Sequence, residues 1–298
     1  MPNLKISELP VAINPSLSGL ILTAKNNGTD NNNITVGTFR NDLFTQFPTA
    51  SATRSNMGAT LTGSAKWFGG VLAPNGKIYG IPYKSADILI IDPVAGTATR
   101  SNMGATLTGS AKWWGGVLAP NGKIYGMPYD STDILIIDPV AGTATRSNMG
   151  ATLTDGAKWI GGALGPNGKI YGIPLDSTDI LIIDPVAGTA TRSNMGATLT
   201  GALKWASGVL APNGKIYGIR HGSPNILIID PVAGTATRSN MGADLTGGYH
   251  VGGVIASNGK IYGMPAGSTA ILSITPELNT SSVNIPIDRC ISAYYNKF

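Results

Sequence analysis

Residues 66–83 read KWFGGVLAPNGKIYGIPY, and the chain writes nearly the same phrase at 112–129, 158–175 and 204–221, with a degraded copy at 249–266. The wider repeat is strict: SNMGA begins at Ser55, Ser101, Ser147, Ser193 and Ser239, a period of 46 residues. Periods of this length belong to propellers, helical arrays and solenoids. Each unit holds four strand candidates, WFGGVLAP, KIYGIPY, ILIIDP and TATRS in the first copy, separated by turn residues and one polar loop. PNGK is a strong hairpin signal, expected to place both Asn and Gly at positive φ. In DPVAG, Asp92 is placed to bond its own backbone, and Pro93 ends the strand. No ten-residue stretch has helical periodicity. Four short strands per unit is the arithmetic of a propeller blade, and five units predict an all-β, five-bladed β-propeller.

The units run 55–100, 101–146, 147–192, 193–238 and 239–284, the last lacking one residue where TGGYHVGGV replaces TGSAKWFGGV. The predicted organisation is a distinct N-terminal segment over 1–48, the propeller over 49–285 and a C-terminal tail over 286–298. TASATRSNMG at 49–58 repeats the end of a blade before the first full unit, as a ring needs if its last blade is to be stitched shut. NTSSVNI at 279–285 competes for the same outer-strand slot.

Composition narrows the class. With 12% charged residues and 40 glycines, the chain reads as folded and turn-rich. The net charge of +5 comes mostly from the same Lys and Arg recurring once per unit, which argues against a nucleic-acid-binding tail. No signal peptide is visible and no apolar run is long enough to span a bilayer, so no membrane insertion is expected. The single cysteine, Cys290, has no internal partner.

Differences between the copies are informative by where they fall. In a four-stranded antiparallel blade the a–b and c–d turns share one face of the disc, and the b–c and d–a loops share the other. PNGK and DPVAG hardly vary. After the Lys-Trp pair come Phe68, Trp114, Ile160 and Ala206, while the fifth copy reads Tyr249, His250, Val251. The b–c loops read YKSAD, YDSTD, LDSTD, HGSPN and AGSTA. Variation on one face of a rigid scaffold points to a binding surface. The candidate ligand-binding face comprises Trp67, Phe68, Tyr83, Lys84, Trp113, Trp114, Tyr129, Asp130, Trp159, Asp176, Trp205, His221, Tyr249 and His250. Aromatic rings stack on pyranoses while acids and amides bond their hydroxyls, so a glycan fits these residues. The tryptophans have a second reading, as packing between blades.

The stretch LKISELPVAINPSLSGLILTAKNNGTDNNNITVGTFRNDL at 4–43 differs from the repeats. With its KISELP phrase, short apolar strand and Asn/Gly turn, it resembles the opening segment of bacteriophage tail-fibre and receptor-binding proteins. It departs from them in having no apolar VVQ-type strand after NNGTDNNN. The VLAPNGKIYGIPY…ILIIDP unit is similar to kelch-like β-propeller repeats. The resemblance implies a virion location in the phage tail, attachment to other tail proteins through 1–48, and a distal part that binds a host surface glycan or receptor. Fibres of this kind are often trimeric, which makes a homo-oligomer an expectation from resemblance alone.

No Ser-His-Asp order, zinc spacing or phosphate loop is present, and Asp92, Asp138, Asp184 and Asp230 recur identically, as turn residues do. DSTD offers oxygens but lacks the ligand count and glycine spacing of a calcium loop. The expectation is therefore a non-enzymatic tail component without a cofactor or metal. The alternatives are a structural virion protein making only protein contacts and a polysaccharide-degrading enzyme.

Overall fold

A computed structural model of the chain describes residues 52–277. The N-terminal segment 1–48, the segment 279–285 and the tail 286–298, for which roles are expected above, lie outside the described residues. Within these the fold is an all-β, five-bladed β-propeller, with no helix among them. Blade 1 is Trp67–Leu72, Ile78–Pro82, Ile88–Asp92 and Thr97–Ser101 (β1–β4). Blade 2 is Trp113–Leu118, Ile124–Pro128, Ile134–Asp138 and Thr143–Ser147 (β5–β8). Blade 3 is Trp159–Leu164, Ile170–Pro174, Ile180–Asp184 and Thr189–Ser193 (β9–β12). Blade 4 is Trp205–Leu210, Ile216–Arg220, Ile226–Asp230 and Thr235–Ser239 (β13–β16). Blade 5 is His250–Ile255, Ile261–Pro265 and Leu272–Ile274 (β17–β19). Every blade is an antiparallel meander in chain order, and the first strands of successive blades are neighbours around the axis.

The turns have the expected positions and partly different chemistry. Asp92 Oδ1 accepts from the Val94 and Ala95 amides at 3.1 and 2.9 Å, which fixes the c–d turn as predicted. The PNGK turn is not a pair of positive-φ residues. Only Gly76 is left-handed, at φ 77°, and its N–H donates to Ala73 C=O at 3.0 Å across Pro74 and Asn75. Asn75 is there for its amide, which donates to the Tyr79 hydroxyl and, at 3.1 Å, to Pro139 C=O of blade 2. The same lock joins Asn121 to Pro185, Asn167 to Pro231 and Asn213 to Glu277.

Apolar faces stack blade against blade. Ile81 of blade 1 packs into the space left by Gly116 of blade 2, where a Cβ would come within 2.7 Å of Ile81 Cδ1. Ile173 meets Gly208, and Ile219 meets Gly253, in the same manner. Met103, Ala105 and Leu107 of the d–a connection fill the remaining space between blades 1 and 2, as their counterparts do between blades 2 and 3 and between blades 3 and 4. The end faces differ. Leu135, Leu181 and Leu227 are fully buried, whereas Leu89 of blade 1 is half-buried. Met264 of blade 5, at the position of Ile81, is 44% exposed, and Val254 is 60% exposed. Among the described residues Asn258 keeps the Tyr262 hydroxyl but has no bond to Pro93. The faces of blades 5 and 1 therefore lie uncovered by each other.

The front segment does not complete blade 5 within the described residues. Met57 C=O accepts from Ala98 of blade 1 at 2.7 Å, as Met103 does from Ala144 in blade 2, so 55–58 sits against the outer strand of its own unit. The fifth sheet has three strands among the described residues.

Candidate functional site

Each inner strand carries the same irregularity. Trp67 pairs with Pro82 and Gly70 with Gly80, so Phe68 and Gly69 are accommodated in a β-bulge, with Gly69 at φ 80°. Bulges re-aim side chains. The bulged position is the variable one: Phe68, Trp114, Ile160, Ala206 and Val251. It sits beside the first residue of the b–c loop, namely Tyr83, Tyr129, Leu175, His221 or Ala266.

These residues assemble into a belt. Phe68 stacks on Trp114 of the next blade, with ring centroids 4.3 Å apart and planes 23° apart. Tyr83 lies 4.6 Å from Phe68 and 5.4 Å from Trp114, and Tyr129 closes the group at 5.5 Å from Trp114. All four rings are half-buried. Ile160, Leu175 and Ala206 continue the surface as a buried aliphatic stretch packed on Trp114 and Tyr129. His221 and exposed Tyr249, 4.6 Å apart, pair with each other in blades 4 and 5. Burial pushes the Tyr83 and Tyr129 hydroxyls above the usual tyrosine range and pushes the His221 imidazole down, so near neutral pH the belt is uncharged. It offers flat apolar rings, two phenol groups and a neutral imidazole, a set suited to stacking and hydrogen bonding.

The structure brings Phe68, Tyr83, Trp114 and Tyr129 together, pairs His221 with Tyr249 apart from them, and withdraws other candidates. Trp113, Trp159 and Trp205 have zero exposure, and Trp67 is half-buried. Their indoles donate to backbone carbonyls 20 residues on, those of Asp87, Asp133, Asp179 and Asn225, at 2.7–2.8 Å. His250 takes the tryptophan position in blade 5, is buried, and reaches Ala270 C=O through Nε2 at 2.9 Å. These five rings pin the b–c loop from inside the blade, so their expected ligand contact is corrected to a packing role. Asp130 and Asp176 are also engaged: each accepts from a backbone amide of the next blade's connection, Ala157 and Leu203, at 2.7 and 2.6 Å. Lys84 is exposed beside the aromatic group.

The sequence reading missed a row of buried cations beneath this face. Lys112 is buried, and its ammonium donates to the carbonyls of Tyr83, Ser85 and Gly109 at 3.0, 2.9 and 2.8 Å. Lys158 and Lys204 are buried likewise and donate to Asp155 and Gly201 C=O. Desolvation lowers all three to about 8. Blade 5 has Tyr249 in place of the lysine, and there Arg220, standing where blades 1–3 have proline, donates to Ser223 and Gly247 C=O at 2.8 and 3.3 Å. Those carbonyls are the repeat equivalents of Ser85 and Gly109. The guanidinium thus replaces the missing ammonium from the neighbouring blade. The signal was visible only as two unrelated departures from the repeat, 29 residues apart.

No group of three or more His, Cys, Asp or Glu side chains is placed to hold a metal ion among the described residues. No protein-family model matches the chain, and a search of curated proteins finds no relative. Solved structures do match in fold. Virginiamycin B lyase from Staphylococcus aureus superposes with a TM-score of 0.54 at 15% identity, over 72% of this chain and 72% of that one. An inactive variant of that lyase with quinupristin gives 0.55 at 15%, over 74% of each chain. An auxiliary nutrient-binding protein from Bacteroides ovatus gives 0.50 at 17%, over 71% of this chain and 56% of that one. Identity this low shows a shared β-propeller and nothing finer. It does overturn the reasoning by which the chain is not an enzyme: lyases are built on this same fold, so a propeller without a familiar catalytic motif is no argument against catalysis.

Proposed function

We propose that this chain is a bacteriophage tail or fibre component whose propeller holds a host surface glycan against its variable face, with the N-terminal segment as the attachment to other tail proteins. The observation that carries the reading is the convergence of the variable positions Phe68, Tyr83, Trp114 and Tyr129 into one half-exposed aromatic group, while the invariant turns occupy the opposite face. Paired rings with phenol groups at their edge suit the C–H face and hydroxyls of a pyranose. The KISELP-type opening supports the virion assignment.

The test is adsorption of the purified full chain to host cells or their extracted polysaccharide. Phe68→Ala combined with Trp114→Ala is expected to lower binding roughly tenfold or more, since an aromatic contact contributes about 0.5–1.5 kcal/mol beyond the area it buries. The melting temperature should move by only a few degrees. Undiminished adsorption of the double variant would overturn the assignment of the face. Release of reducing ends in the same assay would add cleavage to binding.

A further inference from the structure

A second feature recurs once in each of blades 1–4, on the outer strand. In blade 2, Arg146 lies with its guanidinium 5.6 Å from the Trp113 ring centre, donates from Nη1 to Thr106 C=O at 3.0 Å, and pairs through Nη2 with Asp133 at 2.9 Å. Blade 1 repeats this with Arg100 and Asp87 at 2.8 Å. Blade 3 repeats it with Arg192, which meets Asp179 at 3.3 Å and Asp155 at 3.0 Å. In blade 4 the arginine is kept and the acid is gone. Arg238 lies 5.8 Å from the Trp205 ring centre and donates to Thr198 C=O at 2.8 Å, but the acid's position is Asn225. No carboxylate lies within ion-pair reach of Arg238 among the described residues. Its Nε is buried without an acceptor, as it is in Arg146 and Arg192, so the missing partner is the one that the terminal nitrogen holds elsewhere.

The cation is also in a cleft. Gly196, Ala197, Thr198, Asn225, Thr237 and Arg238 line an open hollow of about 420 Å³. The corresponding hollow of blade 2 is about 340 Å³ and contains Asp133. Lys204, buried nearby, feels the charge of Asp176 first and that of Arg238 after it. Arg238 is the one charged side chain in the lining, with a small-residue floor and the polar side chains of Thr198, Thr237 and Asn225 at the sides.

We infer that the blade 4 cleft is a binding site for a carboxylate-bearing sugar, such as a uronate. Its carboxylate would pair with Arg238 Nη2, the counterpart of the nitrogen that Asp133 engages on Arg146 in blade 2, and its hydroxyls would meet Asn225 and the threonines. A planar guanidinium with a free edge recognises a carboxylate in this way, and a hollow of this size holds one sugar ring. The site is separate from the aromatic group and does not depend on it.

The test is calorimetric titration of the full chain with D-glucuronate, with D-glucose, inorganic phosphate and an acetylated aspartyl peptide as comparison ligands. Glucuronate should bind at one site per chain, and glucose at least tenfold more weakly. Asn225→Asp supplies the internal carboxylate that the other blades carry, so it should fold normally and weaken glucuronate roughly tenfold or more, the equivalent of losing one charged hydrogen bond. Asp133→Asn should open a second site and raise the stoichiometry from one to two. No glucuronate binding, or binding unchanged in Asn225→Asp, would overturn the site. Tighter binding of phosphate would overturn the carboxylate, and tighter binding of the peptide would overturn the sugar.

Discussion

At the scale of single residues, Lys112, Lys158 and Lys204 are buried yet charged; the Lys112 ammonium ties the carbonyls of blade 1's loop to the start of blade 2, while those of Lys158 and Lys204 bond a carbonyl three residues earlier. The fold desolvates these ammonium groups and lowers them from 10.5 to about 8. Between those values the unfolded chain binds more protons than the folded one, so stability must rise with pH across that window. A tenfold difference in proton affinity between the two states is worth about 1.4 kcal/mol. Allowing for residual solvent screening, we expect a gain of about 1 kcal/mol per lysine between roughly pH 7.5 and 9.5, measured by urea unfolding, and a flatter slope in Lys158→Met. A loss of stability over that interval would show that the carbonyl cages outweigh desolvation. Above about pH 10.5, where the lysine contribution ends, the half-buried phenols of Tyr83 and Tyr129 should reverse the trend, because the unfolded chain then releases protons that the folded chain retains.

At the scale of strands and turns, the period, the four strands, the Asp92 turn and the sorting of variable and invariant loops onto two faces were all legible in the sequence, because each depends on spacing along the chain. Which of two adjacent aromatics faces inward was not. Phe68 lies in a bulge that begins directly after Trp67 and resets the pleat, so alternation gives no reliable side there. The tryptophan fills the blade and the bulged residue reaches the face. The Asn75 lock was equally hidden, since its acceptor, Pro139 C=O, lies 64 residues away in the next blade. Packing around the bulge gives a sharp expectation. In Gly116→Ala the new Cβ would stand 2.7 Å from Ile81 Cδ1, and overpacking of this kind costs about 1–3 kcal/mol, readable as a lower denaturation midpoint.

At the scale of the whole molecule, the equivalent glycine of blade 1, Gly70, has no residue of another blade against it among the described residues. Gly70→Ala should therefore be nearly neutral, and a cost matching Gly116→Ala would mean that blade 5 docks on blade 1 in solution. The larger claim is that the two faces of the disc do different work. One holds the constant turns, with Val94, Val140, Val186 and Val232 almost fully exposed at their tips, and the other gathers the variable aromatic residues. Hydroxyl-radical footprinting of the chain, with and without host polysaccharide, separates the two directly. Protection of Phe68, Tyr83, Trp114 and Tyr129, with the four valines unchanged, is the predicted result. Protection of the valines with the aromatic residues unchanged would contradict it.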